Sequence, residues 1–279
     1  SMKLEEIGPI GVFDSGYGGL TVLKELKKKL PEYDYLYLGD NARTPYGTRS
    51  FELVYEFTLQ AVQELFDQGC SLVILACNTS SAKALRSIQM NDLPQLAPNK
   101  RVLGVIRPSA EIIGDLSTTK HVGVLATPGT VKSGSYTLEL TKFFPEVRVT
   151  EHACPMWVPL IENNEQDSQI GREFIKHDLE EILKKDAKID TIVLGCTHYP
   201  LVHSYLKSIA PDGLNIVSQG KIVADSLSDY LQRHPEIEEK CSKKKTIQFL
   251  TTENPAFFDE NASLFYGEKV QAKHISLGK

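Results

Sequence analysis

The chain has 279 residues, of which 41% are hydrophobic and 24% charged, an ordinary globular composition, and at ~100–200 residues per domain this length suggests two domains. Its 31 Lys and Arg against 36 Asp and Glu leave a net charge of −5, which gives no support for a nucleic-acid partner. No apolar run approaches the ~18–20 residues of a membrane span, and the opening Ser1-Met2-Lys3-Leu4-Glu5-Glu6 is too polar for a signal peptide, so a cytoplasmic protein without a membrane partner is expected.

In chain order, Pro9-Ile10-Gly11-Val12-Phe13 reads as a strand, Gly16-Tyr17-Gly18-Gly19 as a turn, and Leu20 to Leu26 as an amphipathic helix ending near Pro31. Tyr35-Leu36-Tyr37-Leu38-Gly39 is a second strand, followed by a polar loop from Asp40 to Arg49 that holds Pro45 and Gly47. Helical spacing of Phe51, Val54, Tyr55, Leu59, Val62 and Leu65 runs over 50–69, with Gly69 as the stop. Ser71 to Ala76 is a nearly continuous apolar strand, the kind buried on both faces of a parallel sheet. The second half repeats the plan. Strand His121 to Ala126 is followed by the loop Thr127-Pro128-Gly129-Thr130, a helix over 131–141, a helix over 170–185, and a strand from Asp190 to Gly195. Helix 222–232, a strand over 246–250 and a short helix over 255–265 close the chain.

Strands alternating with helices predict an α/β fold with mainly parallel sheets, in which the loops after the strand C-termini bind ligands. The similarity of VILACNT to IVLGCTH, each an apolar strand ending in a cysteine, points to an internal duplication. The tail is too small for a third domain and is expected to return to the first.

The candidate chemistry lies at those strand ends. Cys77 and Cys196 each end an apolar strand and precede hydroxyl or imidazole neighbours: Asn78-Thr79-Ser80-Ser81, which can cap the next helix, and Thr197-His198-Tyr199-Pro200. Free backbone N–H groups there are expected to lower a thiol from its ordinary ~8.5. Two facing thiols could form a disulfide, bind zinc together with His198, or transfer protons on opposite faces of a carbon acid. The five scattered cysteines include no CxxC, so neither a resolving motif nor chelate spacing supports the first two. Cys70 and Cys241 lie beside polar or charged segments and look incidental. Asp14, at the first strand end, could accept from a substrate ammonium or steer a thiol, or simply cap a helix. His198 could orient Cys196 or share its proton. The turn Pro45-Tyr46-Gly47 could offer N–H groups to a carboxylate. Gly16-Tyr17-Gly18-Gly19 is not a GxGxxG fingerprint and no Walker lysine follows, so no nucleotide is expected. No lysine stands in a pyridoxal phosphate motif.

GVFDSGYGGLTVL (11–23), NARTPYG (41–47), ACNTSSA (76–82), CPMWVPLIE (154–162), LGCTHYPL (194–201) and VSQGKIVADSL (217–227) together resemble the glutamate racemases of the aspartate/glutamate racemase superfamily. The resemblance implies two pseudo-symmetric α/β domains with the active site in the cleft between them: residues 1–100 plus 210–279, and residues 101–209. It implies interconversion of L- and D-glutamate without cofactor or metal, supply of D-glutamate for peptidoglycan, and a homodimer. By that likeness Cys77 deprotonates D-glutamate and Cys196 deprotonates L-glutamate, assisted by Asp14 and His198. Ser15, Pro45, Tyr46, Gly47, Asn78, Thr79, Thr197 and Glu162 match substrate-binding positions. Tyr17, where the family often has a smaller apolar residue, and Ser218-Gln219-Gly220 depart from its common forms. Aspartate, one methylene shorter, is the nearest alternative substrate.

Overall fold

The structure, a computed structural model, describes residues 7–278; the polar opening read above lies outside them. In chain order the strands are β1 (Ile10–Asp14), β2 (Tyr35–Gly39), β3 (Leu72–Leu75), β4 (Arg101–Leu103), β5 (His121–Ala126), β6 (Arg148–Ala153), β7 (Thr191–Leu194), β8 (Asn215–Val217), β9 (Ile247–Thr251) and β10 (Ala272–His274). The helices are α1 (Gly19–Lys29), α2 (Phe51–Asp67), α3 (Asn78–Lys83), α4 (Leu85–Ser87), α5 (Leu93–Leu96), α6 (Ile106–Leu116), α7 (Pro128–Ser133), α8 (Ser135–Phe143), α9 (Trp157–Glu162), α10 (Gln169–Lys185), α11 (His203–Ile209), α12 (Gly220–Arg233), α13 (Pro235–Glu238) and α14 (Pro255–Tyr266). A π-helical segment, Ile88–Asp92, joins α4 to α5, and a 3-10 turn, Tyr199–Val202, precedes α11.

Two parallel sheets carry the fold. One has six strands in the order β10-β9-β2-β1-β3-β4, the other four in the order β6-β5-β7-β8. Every residue of β1, β2, β3 and β7 is buried, because helices cover both faces and the strands are correspondingly apolar end to end. The tail returns as expected: β9 pairs with β2 in register Tyr35↔Ile247 to Gly39↔Thr251, and β10 extends the same sheet. Helix α12 lies against α1, burying Val223, Leu227 and Leu231 in the same apolar cluster as Leu20, Leu23 and Leu26.

The helix expected over 131–141 is instead two helices, α7 and α8. Gly134 breaks them with φ +66, a left-handed conformation that ends α7 and starts α8. Gly69, at φ +97, does stop α2: the Gly69 N–H bonds the Phe66 carbonyl and the Cys70 N–H bonds that of Leu65, the paired bonds of a Schellman motif. Cys70 and Cys241, for all their polar or charged sequence neighbours, are core residues, and burial pushes each up to about 12.

Candidate active site

Five strand ends open onto one cavity. Asp14 ends β1 and Ser15 follows it, the Thr44–Thr48 loop follows β2, Cys77 follows β3, Thr127 follows β5, and Cys196 follows β7. This is the carboxyl edge where parallel α/β sheets bind ligands, here contributed by both sheets at once. Of the residues singled out from the sequence, Asp14, Ser15, Pro45, Tyr46, Gly47, Cys77, Asn78, Thr79, Cys196, Thr197 and His198 line the cavity. Glu162 does not; it stands behind His198. The interior measures about 50 Å³, against the ~10–15 Å³ that one water needs, so it suits a small, compact ligand. Thr127, Pro155, Val158 and Pro159 also line it. The sequence marked only the loop after β5 and the CPMWVPLIE resemblance, with no signal that these side chains face the cysteines.

Cys77 is itself the N-cap of α3, a role expected of its neighbours: its sulfur accepts the Ser80 N–H at 3.4 Å. Its thiol also reaches Ser15 Oγ at 3.7 Å. The expected lowering of this thiol is overturned. Burial first, and then the Asp14 carboxylate, push it up to about 11, against the opposing pull of Ser80 and Ser15. The cap supplies a single short helix of dipoles, while the closed cavity removes the water that would solvate a thiolate. Asp14 is likewise raised, by burial above all, with the His198 charge and the Gly19 and Gly16 N–H groups opposing. Its Oδ2 accepts the Gly16 N–H at 3.1 Å and its carboxylate also takes the Gly19 N–H that opens α1, so it secures the glycine turn and the helix start from the end of β1, while Gly18 holds the N-cap position.

Cys196 has a different companion. His198 Nδ1 lies 3.8 Å from its sulfur, and His198 Nε2 lies 2.5 Å from Glu162 Oε1. Burial alone would depress the imidazole, but the Glu162 carboxylate and the Cys196 sulfur hold it well above the ordinary histidine value. As imidazolium it donates from both nitrogens, to Glu162 and to Cys196. The ring edge rests on Phe265. Phe265 and Phe258 in turn stack on Tyr17, so α14 provides the space that a tyrosine in the glycine turn needs.

The remaining wall is held by polar contacts. The Tyr46 hydroxyl donates to buried Asp40, which also accepts Arg43 Nε at 2.7 Å and Thr252 Oγ1 at 2.8 Å. Those bonds fix the Pro45-Tyr46-Gly47 turn. Thr79 Oγ1 meets Thr127 Oγ1 at 2.9 Å, and the Gly129 N–H bonds the Gly47 carbonyl at 2.7 Å, joining loops of the two sheets across the cavity mouth. Thr197 anchors to α1 through its carbonyl, which accepts Thr21 Oγ1 at 2.9 Å.

Away from the cavity wall, His152, Cys154 and Asp178 bring possible ligand atoms within 4.8 Å of one another. The His152 and Asp178 atoms are engaged: Asp178 accepts from His152 Nε2 at 2.8 Å and from Trp157 Nε1 at 2.7 Å, and Lys185 Nζ sits 2.9 Å from His152 Nδ1. The ammonium beside the imidazole disfavours a cation there. The trio instead ties β6, α9 and α10 together. No helix among the described residues is long and apolar enough to cross a membrane.

The family model for Asp/Glu/Hydantoin racemase matches residues 11–227. A glutamate racemase of Ruegeria sp. (strain TM1040) is 44% identical over 239 residues, covering 82% of this chain and 87% of its own. The solved structure of a glutamate racemase isoform from Bacillus anthracis superposes with a TM-score of 0.87 at 33% identity, covering 96% of this chain and 97% of its own. That of the glutamate racemase from Francisella tularensis in complex with D-glutamate gives 0.85 at 31% identity, covering 98% of each chain. With the paired strand-end cysteines on one cavity and these likenesses along almost its whole length, the chain belongs to the Asp/Glu/hydantoin racemase family, among its glutamate racemases.

Proposed function

We propose that the protein interconverts L- and D-glutamate in the cytoplasm without a cofactor, by acid–base chemistry at two thiols, and so supplies D-glutamate for peptidoglycan. The observation that carries this reading is that Cys77 and Cys196, each at the end of a strand in a different sheet, line one small cavity. The substrate α-carbon would lie between the sulfurs. In the L-to-D direction Cys196 removes the α-proton and Cys77, whose thiol burial keeps protonated, returns one to the opposite face. Microscopic reversibility exchanges the roles for D-glutamate. His198 holds its Nδ1–H toward the Cys196 sulfur, and Asp14 serves the Cys77 side. The negative charge developing beside the carboxylate has no imine to absorb it, so fixed N–H and hydroxyl donors must stabilise it in a dry site. Ser15, the Pro45-Tyr46-Gly47 turn, Asn78, Thr79 and Thr197 are the candidates on the wall.

The working unit in this reading is two domains, each bringing one thiol. The chain through β4, which pairs with β3 and so carries the first seam past 100, forms one with the C-terminal tail, and the middle of the chain forms the other. We draw the second seam after β8 rather than at 210, because β8 pairs with β7 in the four-stranded sheet. A homodimer is part of the same proposal.

The test is racemisation of glutamate in D2O, followed by circular dichroism and by wash-in of solvent deuterium at the α-carbon, with aspartate in parallel. Cys77→Ser and Cys196→Ser should each abolish racemisation in both directions. With a substrate carrying a β-leaving group, elimination needs only the abstracting thiol. Cys77→Ser should then still process the L-form and Cys196→Ser the D-form. Equal loss for both enantiomers in both variants would sink the two-thiol assignment, and a preference for aspartate would sink the substrate.

A further inference from the structure

The chain passes between the two sheets twice, once from β4 into α6 through Val105, and once from β8 into α12 through Ser218 and Gln219. Gln219 bridges these two passages and the cavity wall. Its Oε1 accepts Asn78 Nδ2–H at 2.8 Å; its Nε2 donates to Ser109 Oγ on α6 at 2.9 Å and reaches the Val105 carbonyl at 3.4 Å. The Tyr136 hydroxyl on α8 donates to Asn78 Oδ1 at 2.5 Å and accepts from Gln219. Gln219, Asn78, Ser109 and Tyr136 are all buried, so both ends of the Asn78 amide are held by side chains rather than by water.

Buried polar groups of this kind contribute little net stability over an apolar core, but they cost heavily when half-paired, so they admit one arrangement. Here the arrangement fixes the residue directly after Cys77. Asn78 comes from the six-stranded side, Tyr136 and Ser109 from the helices of the four-stranded side, and Gln219 from the connection between them. We infer that Gln219 is a positioning residue: it locks Asn78, and through it the Cys77 turn, to the seam where the two halves join, so that the Cys77 wall is in register only when the halves hold their closed relation. This rests on the glutamate-racemase reading above.

The experiment compares Gln219→Leu and Tyr136→Phe with the full-length protein. Gln219→Leu should lower kcat in both directions by about tenfold or more, the effect of a slightly misplaced wall, with KM changed by less than about threefold. Tyr136→Phe, which removes one hydroxyl and keeps the ring, should act the same way more weakly. The double variant should lose less than the product of the two, because both act through Asn78. Peptide-resolved alkylation by iodoacetamide supplies a readout that needs no turnover: the rate at Cys77 should change in Gln219→Leu while the rate at Cys196 does not. If the wild-type protein fails to racemise glutamate, the functional reading falls while the alkylation rates still judge Gln219. A folded Gln219→Leu with kcat and KM within about twofold of wild type and unchanged Cys77 alkylation overturns the inference. So does a loss that only tracks the unfolded fraction. If Gln219→Leu does not fold, Tyr136→Phe decides by the same two measurements.

Discussion

His198 is caught between two opposing influences, and their balance is measurable. Burial favours the neutral ring, while Glu162 and the Cys196 sulfur favour the imidazolium and prevail. A histidine raised above its unfolded value of ~6.5 contributes stability that is complete below that value and is lost as pH rises through the folded one. Glu162→Gln removes the main raising influence, and burial then returns the ring to neutral. Breaking a buried pair costs ~3–5 kcal/mol, and with the Glu162 side chain 17% exposed the lower end applies. Urea melts should therefore show the variant furthest below wild type at mildly acidic pH, below ~6.5, with the gap closing as pH rises through neutral and above. A gap independent of pH would mean the pair is not ionised. The same variant should lower kcat ~10²-fold, the size of a positioned acid–base contribution. At this scale the sequence was legible where chemistry is local: a cysteine ending an apolar strand can be read in seven residues. The direction of the Cys77 shift was not, because it depends on Asp14 and on burial, both products of tertiary packing. Gln219 was visible only as a departure from a familiar motif, since its partners lie 141, 110 and 83 positions away.

Elements that are buried on both faces were read correctly from their apolar runs, as β1, β2, β3, β5 and β7 illustrate. Among the strands missed, β4 and β8 are three residues long and only their central residue is buried, and β6 is an edge strand with no fully buried residue; the eleven-residue α6, which buries Ile106, Ala110 and Ile113, also went unread. One element junction bears directly on the proposed chemistry. Gly18 caps α1 with φ −56, an ordinary helical value, so its need for glycine is spatial. A Cβ there would lie 2.5 Å from His198 Nδ1 and 2.6 Å from Thr197 Oγ1. Gly18→Ala should leave α1 intact yet displace the histidine, lowering kcat/KM by ~10²-fold. Gly69→Ala is the control: a Cβ there meets nothing within 4 Å, but φ is +97, so it should cost ~1–2 kcal/mol of stability and leave kinetics alone. Thermal melts and racemisation rates on both variants test the contrast. Activity within about twofold of wild type in Gly18→Ala would refute the steric argument.

Across the whole molecule, the cavity closes where loops from the two sheets touch. Gly129, in the first turn of α7 after β5, donates its N–H to the Gly47 carbonyl at 2.7 Å. Lys83 on α3 lies against it and donates to the Arg49 carbonyl at 2.6 Å. A Cβ on Gly129 would meet the Gly47 oxygen at 2.7 Å and Lys83 Cε and Nζ at 2.8 Å. The lysine end can swing aside; the Gly47 carbonyl is backbone and cannot without moving the Pro45-Tyr46-Gly47 turn. Gly129→Ala is therefore a wedge of one methyl group in the mouth. It deletes no catalytic group and sits in α7, where alanine suits a helix. If turnover needs the two halves to close and exclude water around a developing carbanion, the wedge should lower kcat/KM by about tenfold or more while melting stays close to wild type. Hydrogen exchange supplies the structural half of the test. Saturating D-glutamate should slow exchange over 44–49 and 127–131 in the wild type, and should slow it less in the variant. If the variant keeps wild-type kinetics and the same slowing, closure across Gly47 and Gly129 is not part of the catalytic cycle, and each sheet would have to hold its thiol in place independently of the other.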